Sequence, residues 1–256
     1  MNLLNQLSVI IITKNEERDI EDCLKSAKGL AGEIVIVDSG SGDRTLEICK
    51  RYTDQIYHRD WTGYSDQKQF ALEKAKGPWI LNIDSDERIS PQLADEMRTV
   101  LLEDQEDNAN DGYAIPFQHY FLGKRLRFGG AYGETHARLF KKEKARYGQD
   151  KIHEGIHIDG IIGKLSYPIH HYSYHSIDEY LEKCNEYTSL IAEKKFAKGE
   201  RFHFWNHFRL PYEFVVRYFL KLGFLDGSKG LVYAILSSYY FWLKYLKLLD
   251  LERSQN

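Results

Sequence analysis

Asp84, Asp86 and Glu87 place three carboxylates within four residues. Like charges held that close raise one another's pKa. A bound divalent cation removes the cost. Hard oxygen ligands suit Mg²⁺ or Mn²⁺, which keep several waters and combine one or two carboxylates with substrate phosphates. The bland alternative is a turn leading into a helix, whose first residues also favour acids. Two further polar clusters stand upstream, Thr13-Lys14-Asn15-Glu16 and Asp38-Ser39-Gly40-Ser41-Gly42-Asp43. Asp38 could accept hydrogen bonds from a ribose or a base, or simply serve its own turn. The Gly-Ser-Gly at 40–42 lacks the third glycine of a dinucleotide fingerprint and follows a second strand pattern, which argues against NAD(P).

Each cluster closes an apolar run. Residues 7–12, 33–38, 55–58 and 78–84 read as strands. Helical spacing covers 17–28, 44–51 and 66–76, and another helix opens at Ser90-Pro91, a cap followed by proline at the first helical position. Strands alternating with helices predict an α/β, mostly parallel sheet with helices on both faces. Ligands bind such sheets outside the carboxyl ends of the strands, so the three clusters should converge on one crevice. After 103 the rhythm changes. An acidic loop (104–111) leads to strand-and-turn signals, and 134–174 holds short strand-like runs rich in His and Tyr. Ser176 and Glu179 form a capping box that starts a helix through Lys195. Breaks are expected near Gly199, at Pro211 and over 223–230, leaving helical segments at 212–224 and 231–249.

The chain has 256 residues, 43% hydrophobic and 29% charged, with a net charge of −3. That composition excludes a disordered chain, and the charge gives no argument for nucleic acid. Three cysteines lie far apart without a CxxC pair, which argues against a disulfide framework or zinc. The first apolar run is too short for a signal peptide. Residues 201–256 hold 15 of the 35 aromatics and eight Lys/Arg against four Asp/Glu. This step suggests domains at 1–200 (donor half 1–103, acceptor half 104–175, helix 176–200) and 201–256, a helical appendage. Lys244 and Lys247 make 231–249 a poor membrane span. Aromatic, basic helices can instead lie in a membrane interface, or pack on the body or on another subunit.

The pieces SVIIITKNEE (8–17), EIVIVDSGSGDRT (33–45), Gln67-Lys68 and GPWILNIDSDE (77–87) occur in the order and at the intervals that resemble family 2 glycosyltransferases. THARLF (135–140), KIHEG (151–155) and GFLDGSKG (223–230) extend the resemblance to bacterial lipopolysaccharide-core glucosyltransferases. It implies a GT-A fold and inverting transfer from a nucleotide-diphosphate sugar, UDP-glucose being favoured, to a glycolipid or saccharide acceptor. It also implies a cytoplasmic protein, peripheral on the inner membrane if the tail binds lipid. On the same basis Thr13, Asn15 and Glu16 would line the nucleotide pocket. Asp38 would contact the base, and Asp84 with Ser85 would lie near the ribose. Asp86 would be the metal-bound carboxylate of a DxD-type motif. Lys68 would face the nucleotide or be an ordinary surface lysine.

Inverting transfer also needs a base for the acceptor hydroxyl. Glu154 is the candidate by resemblance, with Glu134 and Asp159 as alternatives. His171 could complete the metal shell, touch the diphosphate, or be a buried structural histidine. Arg138 could pair with phosphate or with an acidic neighbour. Three other classes compete, and one of them, a haloacid-dehalogenase-like phosphatase, would want its DxD after the first strand rather than the fourth. Metal-dependent nucleotidyl transfer would favour a basic glycine-rich loop after the first strand, which TKNEE lacks. A non-catalytic membrane-associated binding protein has no need of three polar strand ends.

Overall fold

The computed structural model describes residues 6–103, 110–148 and 155–254. The chain divides into two compact units. The first is Met1–Phe117 with Glu134–His171, and the second is Gln118–Gly133 with Tyr172–Asn256. The composition step near Glu200 thus falls inside the second unit, and the helix that starts after Ser176 belongs there too.

The first unit is built on a mixed sheet. Its strands are β1 (Leu7–Thr13), β2 (Glu33–Asp38), β3 (Ile56–His58), β4 (Trp79–Asn82), β5 (Glu87–Ile89), most of β8 (Tyr132–Lys141), β11 (Ile162–Lys164) and the first parts of β6 (Gly112–Phe121) and β12 (Ile169–Tyr174); the distal ends of β6 and β12 belong to the second unit, where the short β7 (Lys124–Arg125) pairs with β6. The order is β3-β2-β1-β4-β8-β6-β12-β5, with β11 beside β6. The pairs β3–β2, β2–β1 and β1–β4 are parallel, whereas β4–β8 and β12–β5 are antiparallel. A separate antiparallel pair joins β9 (Ala145–Tyr147) to β10 (Ile156–Ile158).

Alternation along the buried strands splits the core between two faces. Val9, Ile11, Ile36 and Leu81 pack with Ile20, Cys23 and Leu24 of α1 (Ile20–Ala27) and with Leu93 and Met97 of α4 (Pro91–Glu103). Ile10, Ile12, Val35, Val37 and Ile80 pack with Ala71 and Leu72 of α3 (Tyr64–Lys74). α2 (Thr45–Cys49) adds Ile48 and Cys49 to the first face. Several boundaries differ from expectation by a few residues, and two of them have clear local reasons. α1 begins at Ile20 because Asp19 and Ile20 both donate to the Glu16 carbonyl in a preceding turn. α3 stops at Lys74 because Ala75 turns extended. Glu87, a member of the acidic cluster that follows β4, is the first residue of β5.

The second unit contains α5 (Ile177–Ala197), α6 (Arg209–Val215) and α7 (Gly227–Ser254). Ser176 caps α5 by accepting from the Glu179 amide at 3.0 Å, and Gly199 follows with φ +79°. Phe121, Leu126, Tyr180 and Cys184 form its core with Tyr233, Leu236 and Leu243. Pro211 does not break the chain here. It sits in the first turn of α6, where an amide would have had no partner. Residues 216–220 continue as a π turn and Gly223–Asp226 as a 3₁₀ turn. The expected break at 223–230 is also shorter than read, since α7 already starts at Gly227. Gly230 is forced, because a Cβ there would lie 2.0 Å from the Gly223 carbonyl oxygen.

Candidate active site at the strand ends

β1 and β2 end in register, Thr13 opposite Asp38. The Ser39 amide donates to the Thr13 carbonyl at 3.1 Å. The buried Thr13 hydroxyl has no hydrogen-bond partner. Asn15 takes φ +56°, a conformation Asn tolerates. This turns its amide toward the Ser41 hydroxyl, 2.9 Å away, and its Oδ1 toward the Gly42 amide, 2.8 Å away. The Glu16 amide donates to Thr45 Oγ1 at 2.8 Å. The first two clusters are therefore laced into one surface.

Asp38 is 2% exposed, and its carboxylate is occupied by its own loop. Oδ2 accepts from the Gly40 amide at 2.8 Å and the Ser41 amide at 3.0 Å, and Oδ1 accepts from the Ser41 hydroxyl. The loop needs Gly40 at φ +93° to close this way.

The third cluster follows β4 directly. Lys68 Nζ, from α3, lies 2.8 Å from Asp84 Oδ1. Arg138, from β8, spans two acids with one nitrogen, 2.9 Å from Asp84 Oδ2 and 2.6 Å from Glu87 Oε1. The Asp84 amide donates to Glu87 Oε2 at 2.9 Å, and the Glu87 amide returns to the Asp84 carbonyl at 3.0 Å. Phe117 supports the guanidinium, whose carbon lies 5.2 Å from the ring centroid. Of the alternatives for Arg138, the acidic neighbour is the observed one. Lys68 is not a solvated surface lysine, as its side chain is 13% exposed and ion-paired.

Asp86 points to a different partner. β12 runs antiparallel to β5 with His171 opposite Glu87. His171 Nε2 lies 3.2 Å from Asp86 Oδ2, and Phe117 packs edge-on against the imidazole at 5.9 Å. Ser85, between the two acids, is buried.

Charge sets the protonation states. Burial would raise the Asp84 pKa, but Arg138 and Lys68 outweigh it and hold the carboxyl well below its usual range. Glu87, fully buried, moves up because burial and the Asp84 charge together exceed what Arg138 supplies. Burial works against the His171 charge, yet Asp86 overrides it and lifts the imidazole to about 9. At neutral pH the Asp86–His171 pair is thus bridged by a proton.

Among the described residues no group of three or more His, Cys, Asp and Glu converges to cage a metal ion. The donor set nevertheless fits a cation that relies on substrate phosphates for its other ligands, since one carboxylate can suffice for such an ion. Asp84 and Glu87 are tied to Lys68 and Arg138. Asp86 and His171 are the two donors close to each other, and a divalent cation could replace the proton between them.

The remaining candidates are more scattered. Glu134 is exposed on β8, 3.8 Å from His136 Nε2. Asp159 follows β10, 3.6 Å from His157 Nε2. Glu154 lies outside the described residues. The sequence reading gave no structural role to the Glu87 carboxylate or to Cys23, whose thiol donates to the Asp84 carbonyl at 3.5 Å. The signal for Glu87 was its membership of a crowded acidic cluster, which demands a buried counter-charge.

The model of the family described as "Glycosyl transferase family 2" matches residues 8–162, the stretch that contains all three strand ends and Arg138. The chain is 32% identical over 247 residues to a lipopolysaccharide core biosynthesis glycosyltransferase, LpsC, of Rhizobium meliloti, covering 91% of this chain and 90% of that protein. It is 30% identical over 267 residues to an uncharacterized glycosyltransferase of Rickettsia prowazekii, covering 99% and 90%. Among solved structures, that of S. aureus TarS 1–349 in complex with UDP-GlcNAc is 16% identical, covers 98% of this chain and 92% of that one, and has a TM-score of 0.49. The matched stretch is well over half of the sequence and the relatives run nearly end to end, so the α/β chain with its strand-end carboxylates and cations is an enzyme with the GT-A fold, a member of glycosyl transferase family 2.

Proposed function

We propose that the enzyme transfers a hexose, glucose in the first instance, with inversion, from a UDP-sugar to a glycolipid acceptor of the lipopolysaccharide-core type. The observation that carries this reading is the Lys68–Asp84–Arg138–Glu87 network, in which Asp84 is the partly exposed member, next to the Asp86–His171 pair. The acceptor class rests on the name of the Rhizobium relative.

Thr13, Asn15 and Glu16 would form the nucleotide side of the crevice. Asp38 would act chiefly by fixing the 39–42 loop against them, leaving backbone groups to meet the base. Asp84 and Ser85 would lie beside the ribose, with Lys68 and Arg138 keeping Asp84 ionised. Asp86 and His171 would hold the divalent cation, Mg²⁺ or Mn²⁺. When bound, such a cation offsets charge developing on the leaving diphosphate. The acceptor hydroxyl must lose its proton as it attacks. Glu154 is the proposed base, on the strength of the KIHEG resemblance.

Hydrolysis of a panel of nucleotide-sugars without acceptor, with Mn²⁺ present, tests the donor assignment. UDP-glucose should be consumed fastest, and equal rates across the panel would overturn the donor choice. Glu154→Gln should bind donor with near-normal affinity and lose transfer by roughly 10²–10⁴-fold. Near-normal turnover would remove Glu154 from the mechanism.

A further inference from the structure

The segment 204–220 is folded inside out. Trp205, Phe208, Tyr212, Val215 and Phe219 recur at spacings of three and four, so they share one helical face. That face points to solvent, with exposures of 78%, 51%, 58%, 47% and 53%. The opposite stripe is Arg209, Glu213 and Arg217, four residues apart; Arg209 is partly exposed and the other two face inward. Glu213 and Arg217 are 6% and 8% exposed. Glu213 accepts from Arg209 Nη2 at 2.7 Å and lies 3.5 Å from Arg217 Nε. Arg217 also donates to the Gly129 carbonyl at 3.2 Å and stacks over Phe241 at 4.7 Å. A helix that buries its charges and exposes its aromatics is patterned for surroundings other than water.

Charge narrows the choice of those surroundings. Residues 201–231 contain two acids, Glu213 and Asp226, and both are buried. Asp226 caps the Arg127 and Phe128 amides at 3.0 and 2.9 Å. Arg201 and Lys221 are exposed on the same stretch. Its accessible surface is therefore aromatic and positive with no exposed carboxylate. Tyr, Trp and Phe with flanking Lys and Arg are the composition that settles at the headgroup level of an anionic bilayer. Among the described residues no helix is long and apolar enough to cross a membrane.

We infer that the outward face of 204–220 docks in the plane of an anionic phospholipid surface, its aromatics inserted to the acyl boundary. This docking does not depend on the identity of the donor or acceptor.

Flotation of the full-length protein with vesicles tests it. Binding is expected to phosphatidylcholine vesicles containing phosphatidylglycerol, and much less to phosphatidylcholine alone. Trp205→Ser with Phe208→Ser should weaken binding roughly tenfold or more. The same variant should keep its circular dichroism and its donor hydrolysis, because neither residue belongs to the proposed site. Trp61→Ser, at an exposed tryptophan of the first unit, should bind like the parent. Absence of binding to the anionic vesicles at low salt would overturn the inference, as would unchanged binding by the double variant. A dimer in light scattering that dissociates in the double variant would also overturn it, assigning the face to a second copy of the chain.

Discussion

At the scale of single residues, Arg138 is the pivot. It is the one guanidinium shared by Asp84 and Glu87. Removing one partner of a buried ion pair leaves an uncompensated charge, which costs about 3–5 kcal/mol. Arg138→Met should therefore lower the melting temperature, and Glu87→Gln in the same background should recover part of the loss. Urea unfolding of the single and double variants measures both. Asp86→Ala should lose the stability of its pair with His171 and abolish metal-dependent donor binding, read by calorimetry with and without Mn²⁺. His171 adds a pH dependence. Its pKa rises from 6.5 to about 9 in the fold. The folded state therefore holds the proton more tightly, so the stability from this pair is complete below pH 6.5 and disappears as pH climbs through about 9. Thermal melts in chelator over that window should show the decline in the parent and not in His171→Gln.

At the scale of elements, local signals and tertiary demands can be separated. The apolar runs of β1 and β2 were legible because every residue is buried or nearly so, and the alternation between the two cores follows from the pleat. The capping signal at Ser176 was equally local, and Ser176→Ala should cost about 1 kcal/mol in urea unfolding. β5 was not legible. Three residues carry no period, and Glu87–Ile89 becomes a strand only because β12 pairs with it across the sequence. The second unit shows the same limit. Periodicity finds a helix near 212 but cannot tell which stripe faces the protein, since the choice depends on what α7 offers opposite. Gly230 was visible as a glycine, not as a contact. Gly230→Ala should destabilise by more than the usual propensity gain, because its Cβ would collide with the Gly223 backbone.

At the scale of the whole molecule, the composition step near Glu200 is a poor guide to where the chain can be divided. The second unit draws on Gln118–Gly133 as well as Tyr172–Asn256. Phe121, Tyr180 and Cys184 pack with Tyr233, Leu236 and Leu243. Cutting after Glu200 would strip the α7 side of that cluster and leave large apolar side chains in water. A fragment of residues 1–200 should unfold and aggregate at a lower temperature than the full chain, read by thermal melts with light scattering.

The sequence alone determined the ordered strand ends, their carboxylates and the α/β class. All of these depend on short-range pattern and on residue chemistry, which survive without coordinates. The tertiary structure decided which cation meets which acid, since Lys68, Asp84, Glu87, Arg138 and His171 come from five separate elements or strand ends. It also decided that the helical segment at 204–220 faces outward with its aromatics. Pairing at a distance is a property of the packed chain, and no window of sequence contains both partners.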